Sequence, residues 1–461
     1  MYDFAIIGSG VSGGRVAYEL TRAGARCVLI EAGKSLSAKT FPNNELDYSS
    51  RLFWGGGLEL SKDGRLGFLR AKVLGGTSIV NQALLDEFDD FVWEDWRSRT
   101  GISFFKGSEF QSQYDAVFSE VSHSEIARKF WNKNTGFFTT AFDKLGCGWK
   151  PLVRAQKDCK LEQGSDCIVC LGGCPRDSKQ SALVTTIQEA TQRGLVIESE
   201  LEVQEISQSS GVAKVRGLRQ GLLVEIDAAK IFLAAGALGN SAILLRSGFR
   251  KSLPALGTRF TCHPQYMTYA IFDEPIDAHK GAFQAVKSND KKFRVSGLKF
   301  ENVFAPPIGT AMLLPGIGRT HHRLMKKYRY MASMEVAIRD DATGKISVSK
   351  NGKILIDKKM TAEDRNKSKE GLEHVKKCFL VAGAKEENIF ACHQGFGLHL
   401  MGGCPIGSDS AAAVVDPDFR VFGSKNIYIA DSSIFPAAPG INPSFSIMAL
   451  SRMAAMKAVA P

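Results

Sequence analysis

The sequence predicts an α/β protein of two domains, and three observations predict it. Residues 3 to 7 (DFAII) form a short apolar run that meets Gly8-Ser9-Gly10-Val11-Ser12-Gly13 without a break. Lys230 to Gly248 (KIFLAAGALGNSAILLRSG) reads as a second strand, tight turn and helix. Near the C-terminus NIYIAD ends a strand on Asp431, shortly before PGINPSFSIMAL opens another helix. Strands alternating with helical patterns in this way belong to a doubly wound sheet. Because such units lie at both ends of the chain, they imply one discontinuous domain interrupted by another.

In the first unit Val16, Ala17, Leu20 and Ala23 recur at helical spacing. Gly24 ends the helix, and CVLIEAG (Cys27 to Gly33) reads as a buried strand closing on Glu31 and Ala32. Strand, glycine turn, helix, strand and acid within about 30 residues is the Rossmann-like context that gives a GxGxxG its meaning. Gly8 permits the tight turn, and Gly13 lets helix and strand pack closely. Gly10 lets a pyrophosphate approach the backbone at the helix N-terminus, where free amides and the dipole favour anions. Glu31 can accept from ribose hydroxyls, which opposes a 2′-phosphate and leaves FAD and NAD as the candidate dinucleotides.

The chain has 461 residues, 44% hydrophobic and 23% charged, the composition of an ordinary globular protein of two or three domains. No apolar run reaches the roughly 18 residues that a membrane span requires. Met1 and Tyr2 lead straight into DFAIIGSG with no basic region or cleavage site, so a cytoplasmic protein is expected. The formal net charge of +11 is concentrated in KSNDKKFRVSGLKF (Lys287 to Phe300) and HHRLMKKYRY (His321 to Tyr330). Such segments ordinarily form a solvated basic face that favours anionic partners. No nucleic-acid motif accompanies them.

Further along, VLGGTSIVN (Val73 to Asn81) is a Gly75-Gly76 turn leading into an apolar segment, able to offer amides to a phosphate or ring edge. Candidate elements TTIQEATQRG (helix), LVIESELEVQEI and LLVEIDA (strands) precede Lys230. Thr361 with Asp364 stands close to a capping box for a helix that begins near residue 362. GLHLMGGC (Gly397 to Cys404) places His399 in an apolar, glycine-rich setting.

In this order the pieces resemble the glucose–methanol–choline (GMC) family of FAD-dependent oxidoreductases. The matching segments are GSGVSG with Glu31, LGGTSIVN, IFLAAGALGNSAILLRSG, GLHLMGGC, VVDPDFRVFG, NIYIADSSIFP and PGINPSFSIMAL. The middle, roughly 266 to 390, matches only loosely. The resemblance implies that His399 lies against the flavin and takes the hydroxyl proton of an alcohol, with Asn442 completing the pair. It implies that Gly8, Gly10, Val11, Ser12, Gly13, Glu31 and Ala32 hold the ADP half of FAD. Gly75, Gly76, Ser78 and Asn81 would line the pyrophosphate and flavin, and Val203 would touch the adenine. Ala235, Gly236, Asp431, Ser432, Pro443 and Ser444 complete the implied cofactor surface, and His263 (in CHPQ) matches a family position in the FAD domain. His393 reads as structural. The LGGTSIVN turn has no histidine or cysteine suited to tethering the flavin, so non-covalent FAD is expected. HLMGGC differs from the commoner HPxGTC, which sets the usual sugar or choline substrates in question.

Cys167, Cys170 and Cys174 are spaced C-x2-C-x3-C-P, with Cys159 upstream. Free thiols or a disulfide, an iron–sulfur cluster, and structural zinc all remain open. Cysteine-rich loops occur in some branches of the family, including cluster-bearing sugar dehydrogenases. The expectation is therefore a FAD domain from 1–90, 185–265 and 395–461 and a substrate domain from 91–184 and 266–394. The expected reaction is oxidation of a small alcohol or sugar by hydride transfer to the flavin, with oxygen, a dye-like acceptor or a redox protein as electron acceptor. A non-redox lyase on the same scaffold and a subunit passing electrons through a cysteine-ligated cluster are the alternatives.

Overall fold

The computed structural model describes residues 1–105, 107–159, 168–209, 211–392 and 394–459. Its first sheet is built outward from Tyr2–Ile7, an apolar strand that pairs in parallel with Cys27–Ile30 on one side and Leu222–Leu233 on the other. Val196–Glu198 extends the parallel set beyond Cys27–Ile30, and Ile427–Ile429 extends it beyond Leu222–Leu233. The sequence segments LLVEIDA and KIFL, separated by Ala229 alone, are one continuous strand. Its first half pairs antiparallel with Val212–Arg219, which pairs in turn with Glu202–Ser209.

Helix Val11–Arg22 buries Val16, Ala17 and Leu20 completely against this sheet and packs along the C-terminal helix Ser444–Val459. Each buried valine or leucine there contributes roughly 1.5–3 kcal/mol. Ser451 Oγ donates to Ser12 Oγ at 2.8 Å, tying the two helices together near the cavity. The helix expected at Thr185–Gly194 lies two residues earlier, as a π-turn, Leu183–Ile187, followed by the α-turn Gln188–Gln192.

The second sheet runs in the order Glu59–Leu60, Leu66–Phe68, Gly395–Gly397, Gln265–Ile271, Met331–Ile338, Leu298–Asn302, Val286–Ser288 and Trp149–Pro151. Helix Ala362–Val381 lies across it, started by the capping box that Thr361 and Asp364 were expected to form. Two boundaries fall differently from the sequence reading. Residues 59–68 and 395–397 belong to the second sheet, whereas helices Asp90–Thr100 and Ser108–Glu120 place Trp93, Trp96, Phe110 and Tyr114 in the core of the first. Strand pairing and aromatic burial are long-range, so a local pattern does not show which core a segment joins. Among the described residues no helix is long and apolar enough to cross a membrane.

Candidate active site

A cavity of about 930 Å³ runs from the first glycine turn to the face of the second sheet. Gly8 has φ +98°, and a Cβ there would meet Ala234 O at 2.4 Å, so the strand-to-helix turn depends on glycine. A Cβ on Gly10 would meet nothing within 4 Å. Gly10 faces open space at the N-terminus of helix Val11–Arg22, where a phosphate would be accommodated. Gly76 packs against Gly10, bringing the second glycine turn to the same place.

A relay of side chains braces the two turns. The Gly75 N–H donates to Ser9 Oγ at 2.9 Å, and Ser9 Oγ donates to Glu31 Oε2 at 2.6 Å. Glu31 also accepts from the Ser9 and Gly33 amides, at 3.2 and 2.7 Å. Burial pushes its carboxyl above the ordinary range, with these hydrogen bonds opposing. Glu31 is thus a brace for the turn as well as a cavity wall. At the opposite wall Asp431 accepts from the Gly236 amide at 2.7 Å, from Asn240 at 2.9 Å, and from the amide and hydroxyl of Ser433 at 2.8 and 2.6 Å.

Of the residues expected to hold a cofactor, all but Gly13 and Gly75 line this one cavity. Gly13 lies behind the turn, where a Cβ would meet Gly8 O at 1.8 Å, and Gly75 (φ +96°) holds the second turn. The cavity has two glycine turns and the N-termini of two long helices on its wall, a lining suited to a dinucleotide.

His399 and Asn442 line the cavity too. His399 follows strand Gly395–Gly397, and Thr261 pairs antiparallel with Met401 two residues later. That register sets His263 opposite His399, with their Nδ1 atoms 3.2 Å apart and their rings nearly perpendicular. The Gly440 N–H donates to His263 Nε2 at 2.7 Å. A neutral His263 therefore carries its proton on Nδ1 and donates it to His399 Nδ1, which leaves the proton of His399 on Nε2. Protein encloses His399, and the solvent it touches is that of the cavity. Burial, then His263 and Lys299, hold its basicity well below the ordinary imidazole range.

Behind Asn442 lies a charged cluster that local sequence reading did not identify. Asn442 Nδ2 donates to Asp86 Oδ2 at 3.0 Å, and Asp86 is paired with Lys287 and lies 3.7 Å from Lys299. Lys299 Nζ is 2.7 Å from Glu301 Oε1, and Gln284 Nε2 donates to Glu301 Oε2 at 3.2 Å. Glu301 stands opposite Glu335 on the neighbouring strand. The basic segment from Lys287 to Phe300 is accordingly no simple solvated face, because Lys287, Arg294 and Lys299 are buried against acids. The available signal was charge inside apolar strands, as in GLKFEN and SMEVAI.

The described part of the cysteine loop shows no metal site. Among the described residues no group of three His, Cys, Asp or Glu side chains could hold a metal ion. Cys170 and Cys174 hydrogen-bond each other, which pulls the Cys174 thiol down to about 5 and pushes that of Cys170 up. Cys159 packs beside the second core, and Cys167 and His393 lie outside the described residues. The iron–sulfur and zinc readings are left without a ligand set there.

A doubly wound sheet and a cavity lined by two glycine turns form a dinucleotide-binding architecture, with His399 on the same wall. The comparisons specify it further. The GMC oxidoreductase family matches over residues 49–265 (N-terminal part) and 340–451 (C-terminal part), and a NAD(P)-binding Rossmann-like domain matches over 6–62. The chain belongs to the GMC oxidoreductase family. An uncharacterised GMC-type oxidoreductase of Sinorhizobium fredii is 28% identical, over 97% of this chain and 92% of its own. A long-chain-alcohol oxidase of Arabidopsis thaliana is 24% identical over 96% of this chain and 65% of its own. Among solved structures, pyridoxine 4-oxidase from Mesorbium loti superposes with a TM-score of 0.75 at 15% identity, covering 99% of both chains. Formate oxidase of Aspergillus oryzae gives 0.73 at 13% identity, covering 99% of this chain and 98% of its own. At these identities the two structures speak for the fold.

Proposed function

We propose that the protein is a FAD-dependent oxidoreductase that oxidises the CH–OH carbon of a small alcohol, with His399 receiving the hydroxyl proton and Asn442 holding the oxygen. The observation that carries this reading is one cavity whose wall includes the glycine turns together with His399 and Asn442. Long-chain-alcohol and pyridoxine oxidases among the similar proteins agree with an alcohol donor. The bound flavin supplies the hydride acceptor, which no side chain can provide.

The chain's own residues do the rest. Gly8, Gly10, Val11, Ser12, Gly76, Ser78 and Asn81 would present backbone and small side chains to the cofactor, and Glu31, Val203, Asp431 and Ser444 line the same cavity. His399 is neutral near pH 7, the state in which an imidazole can take up a proton. Nε2 of His399 already carries its proton while Nδ1 accepts from His263. Uptake at Nε2 therefore requires the Nδ1–Nδ1 hydrogen bond to open and the ring proton to sit on Nδ1; His263 acts as a positioning residue for the ring. Asp86 fixes the carboxamide of Asn442, leaving its oxygen and second N–H for the substrate.

The test is His399→Ala. FAD content should be retained, and anaerobic reduction of the flavin by an alcohol should slow by about two orders of magnitude or more. Reduction at the wild-type rate would exclude His399 as the base.

A further inference from the structure

We infer that Arg294 is a positioning residue for the histidine pair: it clamps Gly440 between the two cores and so decides which ring nitrogens of His263 and His399 carry protons. The inference rests on the reading of His399 as the base and goes beyond it to what holds that base in one state.

Arg294 lies in the short helix Lys291–Ser296, whose Phe293 packs in the second core, and its side chain is buried. Its Nε and Nη2 donate to Asp89 Oδ2 at 3.0 and 2.7 Å, and its Nη1 donates to the Gly440 carbonyl. Asp89 stands at the start of helix Asp90–Thr100, which sets Trp93 and Trp96 in the first core. One guanidinium thus joins a helix of each core to the loop that carries Asn442. Its planar fork offers a separate donor to each partner, which the single nitrogen of a lysine does not.

Gly440 passes the constraint to the rings. Its φ is +75°, and a Cβ there would meet Arg339 Cβ at 3.1 Å, so the position depends on glycine. With its carbonyl held by Arg294, its N–H meets His263 Nε2 at 2.7 Å. The backbone of His263 is fixed as well: its φ is +46°, and its N–H donates to Asp340 Oδ1 at 3.0 Å. Asp340 is itself paired with Lys358 at 2.8 Å. An imidazole nitrogen accepts only while it is unprotonated, so the Gly440 amide sends the His263 proton to Nδ1 and thereby sets the tautomer of His399. Were Gly440 to move, the rings could exchange roles, with His399 donating from Nδ1 and His263 protonated on Nε2. The surrounding charges leave both rings neutral. Lys299, Arg294 and Arg339 add to burial at His263, while His263 and Lys299 add to it at His399, where Asp86 opposes.

The experiment is heteronuclear NMR of the FAD-loaded protein carrying isotopically labelled histidine, with the two rings assigned through His263→Gln and His399→Ala. In wild type His263 should be protonated on Nδ1 alone and His399 on Nε2 alone. Arg294→Met should retain FAD and bring the exchanged arrangement to about a tenth of the molecules or more, seen as nitrogen shifts drawn together within each ring. Arg294→Lys should show the same change to a smaller extent, and it decides the matter if Arg294→Met does not fold. A lower melting temperature with the ring protons unmoved in both variants would make Arg294 only a link between the domains and overturn the inference. A wild-type His263 protonated on Nε2 would overturn it too. These readouts involve no turnover, so they stand apart from His399→Ala, whose failure would remove the base and leave the clamp in place.

Discussion

His263 and His399 face each other through their Nδ1 atoms at 3.2 Å, with the Gly440 amide donating to the far nitrogen of His263. The pair orients His399 and also holds it in the tautomer that carries its proton on Nε2. His263→Ala should leave FAD bound and lower the rate of flavin reduction about tenfold to a hundredfold through lost orientation. His263 is among the groups that depress His399, so the pH profile of that reduction should move to higher pH. An unmoved profile would reduce His263 to a packing residue.

Two glycines of one turn should respond in opposite ways. Gly13→Ala sets a Cβ 1.8 Å from Gly8 O and should lower the melting temperature sharply or prevent folding. Gly10→Ala meets nothing within 4 Å and should fold normally while binding FAD more weakly, because the added methyl enters the cavity. Melting curves and the flavin content of the two purified variants decide this. Equal FAD affinity in Gly10→Ala would place the pyrophosphate elsewhere.

Asp86 faces two buried lysines, Lys287 and Lys299. Burial pushes its carboxyl up, but Lys287 and Lys299 outweigh it and hold the carboxyl down at about 2, against 3.8 for an ordinary aspartate. Asp86→Asn leaves the buried Lys287 ammonium uncompensated, while Lys299 keeps Glu301, and should cost about 3–5 kcal/mol in denaturant titrations near neutral pH. A depressed carboxyl contributes stability that is present above about pH 4 and lost as pH falls toward 2. The gap between wild type and variant should narrow over that window.

Glu335 has the opposite sign. Its carboxyl is raised from 4.5 to about 8 by burial and then by Glu301, so the ionised form is the costly one in the folded chain. The native state loses stability as pH rises between those values. Glu335→Gln should match wild type near pH 4.5 and exceed it by up to a few kcal/mol at about pH 8 to 9. Parallel melting temperatures across that range would show that Glu335 already has a partner.

The legible part of this molecule was local. GSGVSG, the run into Glu31, and NPSFSIMAL carry their geometry in neighbouring residues, because a glycine turn, a helix start and a strand end are set over a few positions. Most of the expected cofactor residues accordingly reach one cavity wall. Even so, Glu31 braces its own turn through Ser9 and Gly33, which spacing alone did not reveal. The cysteine spacing left free thiols, a disulfide, an iron–sulfur cluster and zinc open, and in the described part of the loop Cys170 and Cys174 are free thiols that hydrogen-bond each other.

By itself the sequence determined the class of fold, the dinucleotide turn and the candidacy of His399, since each follows from backbone preferences and apolar periodicity within a short stretch. Tertiary structure alone decided what His399 touches and what kind of pocket it faces. His263 is 136 residues away in the chain, and Asp86 is 356 residues from Asn442. Glu301 meets Glu335 only through strand register. Side chains that are polar, buried and far apart in the chain take their partners from strand pairing, and strand pairing is settled by the whole core rather than by any segment of it.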